Sequence, residues 1–202
     1  MRRRQQPSPM TTPNHPLVNI SAATHGVLLE LAYATANNVA GRIIYARALC
    51  LLHRDAEVCL RRAVALAAQS GCRLKIFDAF RPQEAQLVLW QTAPDRAYVA
   101  DPQVGSNHTR GTALDLTLVD STGAELDMGS GFDEMSPLSH HFNTAVSALA
   151  QANRQLLLSI MEGTGFVHIA HEWWHYALPH PQRYPLLSSE ALGPLSPMHS
   201  AY

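Results

Sequence analysis

The stretches EWWH at 172–175 and SNHTRGTALD at 106–115 carry the side chains around which this chain is organised. Their candidate metal ligands are His108, Asp115 and His175, and Glu172 remains as a free carboxylate. A catalytic zinc site needs three neutral or anionic protein ligands, an open coordination position and a base. The two stretches therefore predict a metallohydrolase.

The spacing within the longer stretch predicts a bend in the backbone. His108 and Asp115 are seven positions apart, so on one uninterrupted strand their side chains would point to opposite faces and could not share a metal. Gly111 gives the chain a place to bend. With a strand that begins at Thr112, the leucines at 114, 116 and 118 face the core. Asp115 then faces the other side, towards a cleft.

Composition and charge limit the classes of protein to consider. A chain of 202 residues, 47% hydrophobic and 15% charged, is ordinary for one globular domain. The net charge of -1 offers no broad attraction to phosphate backbones or anionic lipid, which argues against nucleic acid and membrane partners and favours a small target. The three cysteines lie in apolar stretches without ligand-type spacing, so no disulfide framework is predicted.

Both ends of the chain are rich in proline and polar residues. We therefore expect tails at 1–16 and 188–202 around a single domain at 17–187. Arg2, Arg3 and Arg4 are not followed by the apolar run that an export signal needs, which predicts a cytoplasmic protein.

Hydrophobic periodicity predicts the order of the elements. They are a helix at 55–70, a strand at 73–80, a helix from 82 to about 91, a loop over the site at 93–107, a strand from 112, a glycine-rich acidic loop at 123–136, a helix from 142 that stops near 163 or 165, and a strand at 166–170 leading into Glu172. This order predicts an α+β domain in which a small antiparallel sheet is flanked by helices.

Seven segments occur in one order across residues 30–178. They are YATANN at 33–38, DAFRPQEA at 78–85, SNHTRGTALDLTL at 106–118, MGSGFDEM at 128–135, LSHH at 138–141, NRQLLLSIMEGTGF at 153–166 and EWWHY at 172–176. Together they resemble the D-alanyl-D-alanine dipeptidases of the VanX type. The resemblance implies the zinc-binding fold that DD-carboxypeptidases share with hedgehog signalling domains.

The resemblance also implies a role for each matching residue. His108, Asp115 and His175 would bind one zinc ion per chain, Glu172 would be the general base and acid, and Arg81 would stabilise the developing oxyanion. The residues implied to hold the termini of the substrate, free D-alanyl-D-alanine, are Ser106, Tyr33 and Asp133. The family is compatible with a homodimer. The histidines at 140, 141, 168, 171 and 180 receive no site role.

Two other functions remain open from the sequence. One is a zinc D,D-carboxypeptidase or peptidoglycan endopeptidase of the same fold, which the lack of an export signal and of wall-binding repeats disfavours. The other is a non-enzymatic zinc-binding module, which the free carboxylate of Glu172 disfavours. The interval from Arg81 to His108 is shorter than in vancomycin-resistance members of the family, so we expect a smaller cover over the pocket.

Overall fold

The computed structural model describes residues 15–199. Its strands are β1 (Leu17–Asn19), β2 (Leu28–Leu29), β3 (Leu51–His53), β4 (Arg73–Asp78), β5 (Ala113–Val119), β6 (Val167–Ile169) and β7 (Glu172–Ala177). Its α-helices are α1 (Ala22–His25), α2 (Arg54–Gln69), α3 (Gln83–Thr92), α4 (Ala148–Glu162) and α5 (Ser189–Leu192). Across these described residues, none of the helices has the length and apolar content to cross a membrane. The predictions for 1–14 and 200–202 lie outside the described residues.

Five of the strands form one sheet in the order β2-β4-β5-β7-β6. Neighbouring strands pair antiparallel, except that β2 and β4 run parallel. The strands β1 and β3 form a separate antiparallel pair. The predicted α+β domain with a small sheet and flanking helices is confirmed.

The central strand β5 separates the core from the cavity that is described below. Leu114, Leu116 and Leu118 are fully buried in the main hydrophobic core. Asp115, at the alternate position, lines the cavity on the other side. The alternation predicted from the sequence is confirmed, because successive side chains of a strand point to opposite faces.

Helix α2 covers the core face of the sheet. Its buried positions, Ala56, Leu60, Ala63 and Ala67, recur every three or four residues, as one face of a helix requires. The Nδ1 atom of His53 caps the helix by accepting a hydrogen bond from the backbone N–H of Asp55 at 3.1 Å. The helix predicted at 55–70 is confirmed within one residue at each end.

Helix α4 begins later than the periodicity predicts. The sequence predicts a helix from 142 that stops near 163 or 165; the helix does end at Glu162, but Ser147 caps its start and the first helical residue is Ala148. The Ser147 hydroxyl accepts a hydrogen bond from the backbone N–H of Ala150 at 3.0 Å, which satisfies a donor that the first turn leaves free. Phe142, expected on the buried stripe, is 62% exposed.

A buried arginine of α4 holds the loop that precedes the helix. The guanidinium of Arg154 donates to the main-chain carbonyl oxygens of Met128, Leu138 and His140 at 2.6, 2.8 and 2.8 Å. Arginine suits this task because its donors form a rigid planar fork. The loop at 123–143, which carries Asp133, is thereby fixed beside the sheet.

The strand predicted at 166–170 is the first half of a hairpin. It comprises β6, and the chain returns antiparallel as β7, which includes Glu172. The pairing is irregular, since His168 lies opposite Tyr176 whereas the next residue, Ile169, lies opposite Glu172.

The described part of the predicted C-terminal tail, residues 188–199, differs from that expectation. It contains α5 and the 3-10 helix Gly193–Leu195. Leu192 is buried in a small apolar cluster with Leu17, Leu51 and Phe80. The proline content suggests a tail, but Leu192, together with the buried Ser189 and Ser196 and the partly buried Met198, gives the segment a face to bury.

Candidate active site

All eight side chains proposed from the sequence line one cavity of about 290 Å³. They are Tyr33, Arg81, Ser106, His108, Asp115, Asp133, Glu172 and His175. The strands β5 and β7 supply Asp115, Glu172 and His175, Tyr33 comes from the 3-10 helix Ala32–Ala34, and the other four come from segments between strands and helices. The fold thus gathers side chains that are widely separated in the sequence.

Strand register places Asp115 and His175 side by side. Asp115 on β5 is directly opposite His175 on β7, and Asp78 of β4 is opposite Asp115 on the other side. Opposite residues on one face of an antiparallel pair have Cβ atoms about 4.5–5.5 Å apart. The Nδ1 atom of His175 accordingly lies 3.0 Å from Oδ1 of Asp115.

His108 reaches this row from a turn that ends at Gly111. The bend predicted there is present: Gly111 has a φ of +69°, and a Cβ atom at this position would collide with the side chain of Leu17. The Nε2 atom of His108 lies 3.1 Å from Nδ1 of His175 and 3.2 Å from Oδ1 of Asp115. Its Nδ1 atom lies 2.6 Å from the carbonyl oxygen of Ala79, to which it donates, so the lone pair of Nε2 faces the other two side chains.

The three atoms fit a zinc ion. Their separations of 3.0–3.2 Å are close to the distance of about 3.3–3.4 Å between ligand atoms of a tetrahedral ion with bonds of roughly 2.0–2.1 Å. All three residues are buried, and the group leaves a coordination position for water or substrate. Burial opposes ionisation of Asp115, but His108 and then His175 hold the pKa of its carboxyl far below the usual range. The aspartate therefore carries the negative charge that a ligand needs.

Glu172 lies beside these three residues, although its position three residues before His175 would place it on the opposite face of a regular strand. The register irregularity of the β6–β7 hairpin removes this constraint. Oε2 of Glu172 is 3.9 Å from Nδ1 of His175. Burial first, and the carboxylate of Asp115 second, raise the pKa of Glu172 well above its ordinary value. A carboxyl group with a raised pKa is suited to exchange a proton near neutral pH.

Arg81 is fixed by hydrogen bonds from both ends of its guanidinium. Its Nε atom donates to Oδ2 of Asp78 at 2.8 Å, one terminal nitrogen donates to Oδ2 of Asp115 at 3.3 Å, and the other donates to Oε1 of Gln86 at 3.1 Å. The guanidinium also lies over the ring of Tyr33, 4.9 Å from its centroid. Burial lowers the pKa of Arg81, but Tyr33 and Asp78 outweigh it and raise the pKa, so the group remains a cation.

Asp78 was not proposed from the sequence, yet it orients two of the proposed residues. It is fully buried, and its Oδ1 atom accepts a hydrogen bond from the hydroxyl of Tyr45 at 2.8 Å. Its Oδ2 atom accepts from Arg81 and lies 3.6 Å from Nδ1 of His108. The available signal was a carboxylate at the end of an apolar strand, three residues before Arg81, because a buried charge needs a partner.

Asp133 and Tyr33 are joined by a hydrogen bond in the lining of the cavity. The Tyr33 hydroxyl donates to Oδ1 of Asp133 at 3.0 Å. The other oxygen of Asp133, Oδ2, is buried and has no hydrogen-bond partner among residues 15–199. Burial raises the pKa of Asp133 to about 6, while the charge of Arg81 acts in the opposite direction. A buried carboxylate oxygen without a partner is able to accept a hydrogen bond from a ligand.

Ser106 lies at the start of the turn that carries His108. Its hydroxyl oxygen accepts a hydrogen bond from the backbone N–H of His108 at 3.2 Å, which leaves its own proton free to be donated. The residue therefore supports the turn and also lines the cavity.

Residues 93–107, for which the sequence predicts a loop over the site, are here called the covering loop and form a wall of the cavity. The loop contributes Tyr98 to the lining, and the Tyr98 hydroxyl is 3.0 Å from Nε2 of His140. The ring of Tyr98 packs edge-on against His171, with centroids 5.7 Å apart. His171, which received no site role from the sequence, thus also lines the cavity.

Comparisons with known proteins agree with this geometry. The model of a peptidase M15 family, described as D-ala-D-ala dipeptidase, matches residues 14–189. A protein of Escherichia coli (strain K12) named D-alanyl-D-alanine dipeptidase is 51% identical over 174 residues, which cover 86% of this chain and 90% of that protein. Proteins of the same name from Streptomyces coelicolor and Enterococcus faecium are 36% and 34% identical, and each alignment covers 79% of this chain and 91% of the relative.

Proposed function

The chain belongs to the D-Ala-D-Ala dipeptidase family of M15 peptidases, and from this premise we propose that it hydrolyses free D-alanyl-D-alanine to two D-alanine molecules in a zinc-dependent reaction. The observation that carries the proposal is the buried group of His108, Asp115 and His175 beside Glu172 and Arg81 in one small cavity. The names of the relatives support the choice of substrate.

His108, Asp115 and His175 would hold one zinc ion per chain through Nε2, Oδ1 and Nδ1. When bound, zinc supplies a Lewis acid and makes water a nucleophile near neutral pH. The hydrogen bond from His108 to the carbonyl of Ala79 keeps the ring in the tautomer and orientation that binding needs. Oδ2 of Asp115 accepts from Arg81, which links the ligand set to the oxyanion site.

Glu172 would move the proton of the reaction. Its carboxylate accepts a proton as water attacks the peptide carbonyl, and delivers it to the nitrogen of the departing D-alanine. Its raised pKa supports both tasks, because the acid and base forms are then closer in free energy at neutral pH.

Arg81 would stabilise the negative charge that develops on the carbonyl oxygen. A permanently charged guanidinium that is already oriented costs little reorganisation during the reaction. The hydrogen bonds to Asp78, Asp115 and Gln86 provide that orientation in advance.

The termini of the dipeptide would be held at the two ends of the cavity. Oδ2 of Asp133, buried and without a partner among the described residues, would accept from the ammonium group, with Tyr33 fixing the other carboxylate oxygen. Ser106 has a free hydroxyl proton for the substrate carboxylate. A substrate with a blocked amine would leave Asp133 buried and unpaired, which carries a large penalty.

A steady-state comparison of three substrates tests the proposal. The zinc-loaded protein is assayed with free D-Ala-D-Ala, N-acetyl-D-Ala-D-Ala and a peptidoglycan stem pentapeptide. We expect kcat/KM for the free dipeptide to exceed the other two by about 10³-fold or more. If the pentapeptide loses its terminal D-alanine as fast as the dipeptide is split, the carboxypeptidase alternative is correct. If zinc binds but no substrate is hydrolysed, the chain is a zinc-binding module.

A further inference from the structure

We propose that Gln86 is a positioning residue that links the Arg81 guanidinium to the covering loop. Its side chain supports both the orientation of the guanidinium and the position of the loop against the cavity. The inference rests on the proposed function only for the role of Arg81 in stabilising the oxyanion. The two hydrogen bonds of Gln86 are a feature of the fold and do not depend on that role.

The side chain of Gln86 makes two hydrogen bonds in opposite directions. It is buried on α3, and its Oε1 atom accepts from Arg81 at 3.1 Å while its Nε2 atom donates to the carbonyl oxygen of Ala100 at 2.7 Å. The second bond decides the orientation of the amide. Because the nitrogen must face a carbonyl acceptor, the oxygen must face the guanidinium.

The bond to Gln86 limits where Arg81 can direct its remaining protons. A guanidinium has five N–H donors, and Asp78, Asp115 and Gln86 each accept one of them. Among residues 15–199, one proton on each terminal nitrogen has no hydrogen-bond acceptor. The hydrogen bond to Gln86 holds Nη1 of Arg81 in place and so restricts rotation of the guanidinium plane. If this bond is lost, Nη1 has no acceptor among residues 15–199.

Ala100 belongs to the covering loop at the point where it meets the cavity. The loop is held there by Gln86, and the Tyr98 hydroxyl contacts His140 at 3.0 Å. Val99, between them, is buried in an apolar cluster with Leu89. Gln86 therefore contacts both Arg81 and the part of the covering loop that lines the cavity.

Two substitutions separate the two bonds. Gln86→Leu removes both, whereas Gln86→Glu keeps an acceptor for Arg81 but cannot donate to the carbonyl of Ala100. Gln91→Leu, the same change at an exposed position of α3, is the matched control. The measurements are zinc content, kcat and KM for D-Ala-D-Ala, and the rate of tryptic cleavage after Arg96, an exposed residue of the covering loop.

The proposal predicts a different result for each variant. Gln86→Leu lowers kcat by about 10- to 100-fold and raises KM, because misplaced catalytic groups cost about that much. Gln86→Glu keeps kcat within about threefold and raises KM about fivefold, since only the loop is displaced. Cleavage after Arg96 becomes several times faster in both and unchanged in Gln91→Leu, with zinc content constant throughout.

Several results would overturn it. They are kcat and KM of Gln86→Leu within twofold of the parent, cleavage after Arg96 that does not accelerate, or loss of folded protein in both Gln86 variants, which would assign Gln86 to stability alone. A parent protein that does not hydrolyse the dipeptide would refute the proposed function instead. The tryptic comparison would still decide whether Gln86 holds the loop.

Discussion

The metal side and the substrate side of the cavity are built in different ways. On the metal side, Asp115 and His175 are paired across neighbouring strands, and their register brings them together. On the substrate side, Asp133 lies on a loop and is attached to Tyr33 by one hydrogen bond. A slip of one residue in a strand would turn every side chain to the other face, whereas loops tolerate change. We infer that strand register fixes two of the three proposed ligands, whereas His108 and the residues proposed to bind the substrate are positioned by segments between strands.

The largest effect should follow from removing a ligand on the metal side. His175→Ala should lose the zinc and reduce kcat/KM by more than the roughly 10²–10⁴-fold expected for a general base alone. Elemental analysis and steady-state kinetics on the same sample test this, with His199→Ala at an exposed position as the control. If His175→Ala retained stoichiometric zinc, His175 would not be a required ligand, and its pairing with Asp115 across the strands would not determine metal binding.

A second substitution on the same strand should separate base from ligand. Glu172→Ala should lower kcat by about 10²–10⁴-fold and leave the zinc content near that of the parent. The physical reason is that Glu172 is 3.9 Å from Nδ1 of His175 and lies outside the ligand group. Equal zinc loss in Glu172→Ala and His175→Ala would make Glu172 a ligand.

On the substrate side, Asp133→Asn should weaken binding and remove a pH dependence. A lost hydrogen bond between charged groups costs about 1.5–3 kcal/mol, or about 10- to 150-fold in kcat/KM. Burial raises the pKa of Asp133 to about 6, with Arg81 lowering it and Asp115 and Tyr33 as its other neighbours. The carboxyl is neutral below that pH, so KM of the parent should rise as the pH falls through about 6.

The control for this prediction is Asp127→Asn, the same change at an exposed position of the same loop. KM for D-Ala-D-Ala is measured across this pH range at constant zinc. The assignment of Asp133 to the ammonium group would be wrong if the variant kept the inflection of the parent.

The smallest effect concerns His141, which contacts the β6–β7 hairpin at Ala170 and at Tyr176. Its N–H donates to the carbonyl of Ala170 at 2.8 Å, and its Nε2 atom is 2.9 Å from the Tyr176 hydroxyl. Burial lowers the pKa of His141 to about 4. His168 and Arg154 also lower this pKa, whereas the negative charge of Glu162 raises it. The unfolded chain binds this proton near pH 6.5, so stability is lost as the pH falls from about 6.5 towards 4.

His141→Gln keeps a polar side chain but removes the titration. Its Tm should therefore fall less than that of the parent between about pH 7 and 5, by a difference of about 2–4 °C. The comparison is made at constant zinc with His199→Gln as the control. If the Tm of the parent and of His141→Gln changed with pH in parallel, the titration of His141 would not contribute to the pH dependence of stability.

The sequence predicts the residue types of the site better than the pairings and contacts that position them, for physical reasons. Ligand chemistry is visible in residue type, and the odd spacing of His108 and Asp115 required a bend, which is present at Gly111. The hairpin irregularity at Ile169 was not visible, because it depends on pairing between strands. Nor was Gln86, since a glutamine inside a helix gives no sign of what it will contact. The start of α4 was missed because the apolar pattern at Phe142 outweighed the cap at Ser147.

The way in which Arg154 holds its loop bears on how this protein can diversify. Its guanidinium donates to main-chain oxygens of Met128, Leu138 and His140, which every amino acid possesses, and also to the Ser130 hydroxyl at 3.4 Å. The three main-chain bonds do not depend on the identity of the side chains along this loop. Lineages that inherit the arginine are free to explore new pocket linings by drift, while replacement of the arginine itself would close that route.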